Sequence, residues 1–170
     1  MTLQWPFTKP RSVCALLIRD GKVCRVTRRN KPHDYALVGG SIDSKDASAW
    51  DAMTREIFEE VGVEVVRAHM VFERVDPTDG GLAWCYIVDE WIGEPHQCEP
   101  GIGVSWGEPE TLLAENCTFR EYNRMLFTHL GMINEGPTQR YNQVDDPGQQ
   151  LGEHHAGHDG SGREPGDDES

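Results

Sequence analysis

The sequence lacks any long hydrophobic run. Its purely apolar stretches are short, six residues at 13–18 and seven at 82–88, whereas a helix needs roughly 18–20 apolar residues to span a bilayer. Residues 1–13 contain Lys9 and Arg11 but no apolar core of the kind that secretory signals have. The sequence therefore predicts a cytoplasmic protein that is not embedded in a membrane and has no membrane partner.

Basic residues are also scarce. The 170 residues contain 16 Lys and Arg against 29 Asp and Glu, which gives a formal net charge of −13. Because this charge repels phosphates at long range, the composition argues against a nucleic acid polymer as partner. An acidic protein can still bind a phosphate compound by recruiting a divalent cation.

Disulfide and zinc spacings are missing. The sequence contains five cysteines, an odd number, and no C-x-x-C pair. Cys14 and Cys85 lie in apolar segments of strand character, so we expect both to be small buried hydrophobes. This use of cysteine is typical of a reducing cytoplasm.

The C-terminal segment has little that could form a core. Residues 136–170 contain eight acids and two bases, for a net charge of −6, together with seven of the 18 glycines. Such a segment cannot bury enough surface to offset its chain entropy. We therefore predict one folded domain over residues 1–135 and a disordered acidic tail over residues 136–170. The tail histidines are interpreted as solvated rather than as a metal cluster: His154, His155 and His158.

Strands and helices alternate irregularly along the chain. The predicted strands are residues 12–19, 22–28, 35–38, 64–75, 82–91 and 104–106. The predicted helices are residues 49–61, 108–114 and about 118–130. Ser48 should cap the first helix and Gly62 should end it, and Thr118 with Glu121 should form a capping box for the last. This order favours an α/β protein with a mixed sheet over a doubly wound parallel sheet.

Helix 49–61 is predicted to have two distinct faces. One stripe, expected to face the core, holds four large apolar residues: Trp50, Met53, Ile57 and Val61. Glu56, Glu59 and Glu60 share a second face, because they stand at positions i, i+3 and i+4. Carboxylates so close repel one another unless a cation lies among them, and they suit Mg²⁺ or Mn²⁺. The alternative interpretation is a solvated acidic face on which Arg55 pairs with Glu59.

The segment around this helix resembles the Nudix box, G-x5-E-x7-R-E-U-x-E-E-x-G-U, in which U is aliphatic. The second half matches at every specified position: Arg55, Glu56, Ile57, Glu59, Glu60, Gly62 and Val63. Seven defined positions in nine make this half specific. The first half departs from the pattern, because the interval from Gly40 to Arg55 is one residue longer and the first glutamate is absent. Asp46 is the nearest residue in type, and Val38 stands where many members have proline.

The resemblance continues beyond the box and covers about residues 13–130. Residues 91–95, then Glu99 and then Trp106, resemble the stretch after the last long strand in MutT-type members of the family. In those members a loop glutamate joins the metal site, and Glu99 occupies that place. The resemblance implies a single domain with the Nudix α/β/α sandwich fold and a mixed sheet.

The resemblance also implies an activity. Nudix hydrolases cleave a nucleoside diphosphate linked to another group, by attack of metal-activated water on phosphorus. The expected substrate is a nucleoside triphosphate, oxidised or not. ADP-ribose or another nucleotide sugar and a dinucleoside polyphosphate stay open as substrates. A non-catalytic Nudix-fold module that binds nucleotide or a protein partner is the alternative outside the enzymes.

The family assigns roles to residues of the box. The implied ligands of Mg²⁺, or of Mn²⁺ in its place, are the Gly40 carbonyl and four carboxylates: Glu56, Glu59, Glu60 and Glu99. Either Glu59 or Glu99 would be the general base. Arg55 would orient the carboxylates through a salt bridge.

Candidate substrate-binding residues lie outside the box. Four bases precede Tyr35 and could clamp the outer phosphates, or could be a solvated strand end: Arg25, Arg28, Arg29 and Lys31. Arg28 fits the family's strand-end arginine slightly better than Arg29 does. Four aromatic residues are candidates for a wall against the base, or are core residues instead: Tyr35, Phe72, Trp84 and Phe119. Asn116 lies near the place where MutT-type members have a base-reading asparagine, and the alternative is a simple turn residue.

Overall fold

The computed structural model of the protein describes residues 9–134, so the predicted tail lies outside the described residues. The strands are β1 Ser12–Arg19, β2 Lys22–Arg28, β3 Lys31–Ser41, β4 Glu64–Val75, β5 Leu82–Ile92 and β6 Val104–Gly107. The helices are α1 Ala49–Val61 and α2 Arg120–His129, and a short 3₁₀ helix spans Pro109–Leu113. Within residues 9–134, no helix is long and apolar enough to cross a membrane.

The six strands form one mixed sheet in the order β4-β5-β1-β3-β2-β6. β1 runs parallel to β5, and the remaining neighbours are antiparallel. Both faces of the sheet are covered. On β1, Ala15 and Leu17 point into the core under α1, whereas Leu16 points into the core under α2. The predicted α/β sandwich with a mixed sheet is therefore confirmed.

β3 is longer than the sequence predicted. It begins at Lys31 rather than Tyr35, because Lys31 pairs with Arg28 across a tight turn in which Asn30 has a φ of 61°. Further along β3, Gly39 has a φ of 149°, and a Cβ there would run into the Val13 carbonyl of β1. The absence of a side chain lets β3 lie against β1 just before the Nudix box.

α1 has the predicted bounds and both predicted caps. The Ser48 side chain accepts a hydrogen bond from the Asp51 N–H at 3.1 Å, and Gly62 ends the helix with a φ of 69°. The predicted core position of Trp50 is wrong, since this side chain is 37% exposed. The small residues Ala49 and Ala52 are buried instead, so the buried face of α1 lies to the side of the Trp50 indole.

The predicted capping box of the last helix is also wrong. α2 begins at Arg120 without a side-chain cap. Thr118 instead donates its N–H and its hydroxyl to the two carboxylate oxygens of Asp34, at 2.8 and 2.5 Å. The buried Asp34 thus ties the start of α2 to β3, a contact between residues 84 apart that local pattern could not predict.

Candidate functional site

The glycine pair at the end of β3 lies against two glutamates of α1. The Gly39 N–H donates to Glu60 Oε2 at 2.9 Å. A Cβ on Gly40 would lie 2.5 Å from both Cδ and Oε1 of Glu56. The packing of β3 on α1 therefore brings together three of the predicted metal ligands, Gly40, Glu56 and Glu60.

Arg55 is the centre of an ion-pair network. Its guanidinium binds Asp46 through two hydrogen bonds, from Nε to Oδ1 at 3.0 Å and from Nη2 to Oδ2 at 2.9 Å. Nη1 donates to Glu56 Oε1 at 2.8 Å and to Glu59 Oε2 at 3.1 Å. Nη2 also donates to the Ser41 carbonyl at 3.1 Å. Arg55 thus links the loop before α1 to two carboxylates of the box, which fits its predicted orienting role.

Asp46 is the acidic partner that the first half of the box lacked. One extra residue in the loop and one methylene fewer in the side chain still leave a carboxylate within reach of Arg55. The Asp46 side chain is only 5% exposed, and the Arg55 guanidinium holds the pKa of that carboxyl below its ordinary value. The Asp43 N–H also donates to Asp46 Oδ2 at 2.8 Å, which fixes the loop around the carboxylate.

Glu60 is held in an unfavourable electrostatic environment. Burial, with the nearby charges of Glu56, Glu99 and Glu59, raises the pKa of Glu60 to about 8 despite the hydrogen bond from Gly39. Burial also raises the pKa of Glu56, although Arg55 opposes that rise. A nearby cation would therefore stabilise the ionised form of both carboxyl groups.

The carboxylates fit a divalent cation. Within residues 9–134, no three His, Cys, Asp or Glu side chains converge closely enough to hold a metal ion as they stand. Arginines bind three of the four predicted carboxylates: Arg55 binds Glu56 and Glu59, and Arg29 binds Glu99. The donors are hard oxygens, and Glu56, Glu59 and Glu99 lie close enough to Glu60 for their charges to add to the effect of burial on its pKa, so the residues suit Mg²⁺ or Mn²⁺.

The two candidate phosphate clamps have different partners. Arg29 Nη2 lies 2.9 Å from Glu99 Oε2, and both side chains are partly exposed. The Arg28 guanidinium carbon lies 5.1 Å from the centre of the Phe119 ring, in cation–π contact. Arg28 Nε is also 3.9 Å from Asp34 Oδ2. Two neighbouring residues thus reach different segments, Arg29 the loop that carries Glu99 and Arg28 the start of α2.

A cavity of about 430 Å³ connects the two arginines with residues of β3, α1 and α2. Its lining includes the glycine pair of β3 and Glu60, and also Arg28, Arg29 and Phe119. Beyond these, the lining includes polar groups that sequence reasoning missed: Asp76, Asp79, Tyr122 and Asn123. Asn123 is 1% exposed and stands one turn after Phe119 on α2, so a polar residue on the apolar face of this helix was the available signal.

Some predicted substrate residues lie outside this lining. The Tyr35 ring is covered by the Arg25 guanidinium, whose carbon is 3.8 Å from the ring centre. The Asn116 side chain donates to the His33 carbonyl at 2.6 Å. Of the aromatic candidates, Phe119 is the one in the lining, whereas Phe72 is buried beneath α2.

Replacing Gly40 by Ala tests the contact with Glu56. The new Cβ would displace the Glu56 carboxylate, which is the flexible end of its side chain, so the protein should fold. We expect kcat/KM to fall about tenfold or more, because small misplacements of reacting groups are costly. Steady-state kinetics and thermal melts measure both effects.

Gly39→Ala is the matched control: it adds the same methyl group at the neighbouring position, where the contact is with backbone rather than with Glu56. Its Cβ would meet the Val13 carbonyl, which cannot swing away, and its φ is unfavourable for alanine, so we expect a lower Tm. Full activity in Gly40→Ala would contradict the placement of Glu56 at the site.

Comparisons with known proteins agree with this geometry. Residues 8–125 match the family model of the NUDIX domain. A 94-residue segment is 33% identical to the 8-oxo-dGTP diphosphatase of Haemophilus influenzae and covers 51% of this chain and 67% of that protein.

Solved structures are similar in fold. One is a MutT structure from work on Aliivibrio salmonicida and Vibrio cholerae, with a TM-score of 0.59 and 22% identity over 74% of this chain and 100% of that one. Another is the NUDIX domain of Shewanella oneidensis NrtR complexed with ADP ribose, with a TM-score of 0.58 and 21% identity. This match covers 76% of the present chain and 92% of the NrtR domain chain. The family match covers the fold, the box and the cavity, so this chain belongs to the NUDIX domain family and is a MutT-like Nudix hydrolase.

Proposed function

We propose that this hydrolase cleaves a nucleoside triphosphate, oxidised or not, with the help of Mg²⁺ or Mn²⁺. The observation that carries the proposal is the cavity in which Glu60 and the glycine pair of β3 meet Arg28, Arg29 and Phe119. One cavity thus offers one of the proposed metal-binding carboxylates, two arginines that can bind phosphate and an aromatic ring. The identity to an 8-oxo-dGTP diphosphatase supports the same substrate class.

The proposed metal ligands are Glu56, Glu59, Glu60 and Glu99, with the Gly40 carbonyl. A divalent cation bound there would neutralise phosphate charge and lower the pKa of a bound water. Before binding, Arg55 and Arg29 hold three of these carboxylates in place. Because the carboxylates around Glu60 repel one another, a divalent cation would be favoured there.

Arg29 couples the phosphates to Glu99 in this proposal. A polyphosphate in the cavity competes with Glu99 for the Arg29 guanidinium, because phosphate oxygens accept the same paired N–H groups. Binding of substrate would then release Glu99. Arg28 lies further along the cavity, against Phe119, and would bind an outer phosphate.

The general base is proposed to be Glu59 or Glu99. The Glu59 side chain is 50% exposed and the Glu99 side chain 35%, so each can reach a water molecule at the surface of the site. Each is bound through one carboxylate oxygen by an arginine. The second oxygen is therefore available to take the proton of the attacking water.

A panel assay tests the proposed substrate. The full chain with Mg²⁺ is given nucleoside triphosphates, their 8-oxo forms, ADP-ribose and dinucleoside polyphosphates, and the products are identified by mass spectrometry. We expect a nucleoside monophosphate and pyrophosphate from a triphosphate, and no turnover with EDTA. Preferred cleavage of ADP-ribose, which is the ligand of the Shewanella NUDIX domain, would reassign the substrate. Absence of any turnover would favour the non-catalytic binding module.

Location and domain boundaries stay predictions. The five cysteines are all free, which is compatible with the predicted reducing cytoplasm. We propose that residues 1–135 form the hydrolase domain and that residues 136–170 are not needed for hydrolysis.

A further inference from the structure

A short segment after β5 folds over the C-terminal end of α1. The His96 N–H donates to the Val61 carbonyl at 3.0 Å, and the Cys98 N–H donates to the Glu60 carbonyl at 3.4 Å. These bonds satisfy two carbonyls that a helix end leaves without partners. The segment is thus held in place by the backbone of the helix that carries the Nudix box.

The side chains of His96 and Cys98 converge at this helix end. His96 Nε2 lies 3.5 Å from Cys98 Sγ. Both side chains lie over Gly62, where a Cβ would collide with His96 Cε1 and would lie 2.7 Å from Cys98 Sγ. Cys98 is the one exposed cysteine of the five, and His96 is exposed as well.

The imidazole of His96 is oriented for binding. Its Nδ1 lies 2.9 Å from the Glu94 carbonyl. A carbonyl oxygen can only accept a hydrogen bond, so Nδ1 carries the proton in the neutral ring. The lone pair is therefore on Nε2, the nitrogen that lies 3.5 Å from Cys98 Sγ. Histidines that bind metals have this arrangement, with the second ring nitrogen donating to a carbonyl or carboxylate.

We propose that His96 and Cys98 form a second metal site, for a borderline divalent cation of the Zn²⁺ class. Zinc bonds of about 2.3 Å to sulfur and about 2.0–2.1 Å to nitrogen, at a tetrahedral angle, place the two atoms about 3.6 Å apart. The observed separation of 3.5 Å needs almost no adjustment. The partial negative charge of the helix C-terminus also favours a cation there.

This site differs in chemistry from the carboxylate site. Thiolate and imidazole select Zn²⁺ and similar ions, whereas carboxylates suit Mg²⁺. With two protein ligands, the remaining positions belong to water, so the metal is exchangeable. Because Glu99 follows Cys98 directly, an occupied site restrains the segment that carries Glu99. That consequence rests on the proposed function, whereas the binding itself does not.

Cobalt titration tests the site without using hydrolysis. The reduced full chain, free of other metals, is titrated with Co²⁺, whose bond to a thiolate gives a near-ultraviolet charge-transfer band. We expect this band at about one equivalent, and we expect Zn²⁺ to remove it by displacement. Cys98→Ser should abolish the band, and His96→Ala should weaken Co²⁺ binding at least tenfold.

Two control variants have matched chemistry. Cys14→Ser removes another partly accessible thiol, and His69→Ala removes another exposed imidazole, so both should keep the band. A second measurement uses the unmutated chain. Bound Zn²⁺ should protect Cys98 from alkylation, and peptide mass spectrometry measures the alkylated fraction. A band that survives Cys98→Ser, no band at all, or no protection of Cys98 would overturn the proposal.

Discussion

Glu60→Gln is expected to lower kcat/KM by about a hundredfold or more under saturating Mg²⁺. The substitution keeps the shape and the hydrogen bond from Gly39 but removes the charge that we propose for the metal, and a lost electrostatic contact of this kind costs several kcal/mol of transition-state stabilisation. Steady-state hydrolysis of the triphosphate found in the panel measures the effect. Glu64→Gln is the control, because Glu64 is exposed at the start of β4.

The same variant should gain stability when metal is removed. Glu60 has a pKa of about 8 in the folded protein against an ordinary value of 4.5, so it contributes stability that is fully present below pH 4.5. That stability is lost as the pH rises through about 8. In EDTA at pH 9, Glu60→Gln should therefore melt above the unmutated protein, and the difference should vanish near pH 4. Unchanged activity, or a lower Tm at pH 9, contradicts the assignment.

Asp46→Asn is expected to weaken both the fold and the reaction. It removes the charge of a buried side chain and leaves one oxygen rather than two to accept from Arg55, at a cost of about 2 kcal/mol, or roughly 5–10 °C in Tm. Arg55 would then hold Glu56 and Glu59 less firmly, and we expect kcat/KM to fall at least tenfold. Thermal melts and steady-state kinetics on one preparation measure both effects.

Two further variants of the same loop sharpen this test. Asp43→Asn is the control, because Asp43 is 63% exposed and its Oδ2 lies 4.0 Å from Arg55. Asp46→Glu keeps the charge and should retain most of the activity. Because the pKa of Asp46 is lowered, its stabilising effect is present above its ordinary value of 3.8 and is lost as the pH falls through the folded pKa. Equal Tm values for Asp46→Asn and Asp43→Asn would show that the Asp46 contact is not stabilising.

The parts of the fold that depend on local sequence were predictable. α1 with its caps Ser48 and Gly62, and the hairpin turn at Asp20 and Gly21, follow from propensity and backbone conformation. The glutamates of the box lie on one helix, so spacing alone predicted the face that they share.

Contacts between distant segments were not predictable. The Asp46–Arg55 pair depends on the path of a loop with one extra residue, and the Arg29–Glu99 pair joins residues 70 apart. The hydroxyl of Thr118 had a local use as a helix cap and a distant one with Asp34, and the distant contact prevailed. Local patterns do not contain the geometry that decides between two such partners.

The parallel pairing of β1 with β5 has a consequence for folding. It aligns Cys14 with Cys85 at the centre of the sheet, so this pair can form only after most of the domain has been synthesised. Non-local parallel pairing is slow to form, since a long loop must close first. During translation, α1 and the hairpin of β1 and β2 are therefore complete while the edge of β1 that later pairs with β5 is still unpaired. The nascent chain is therefore most vulnerable to aggregation between completion of α1 and arrival of β5.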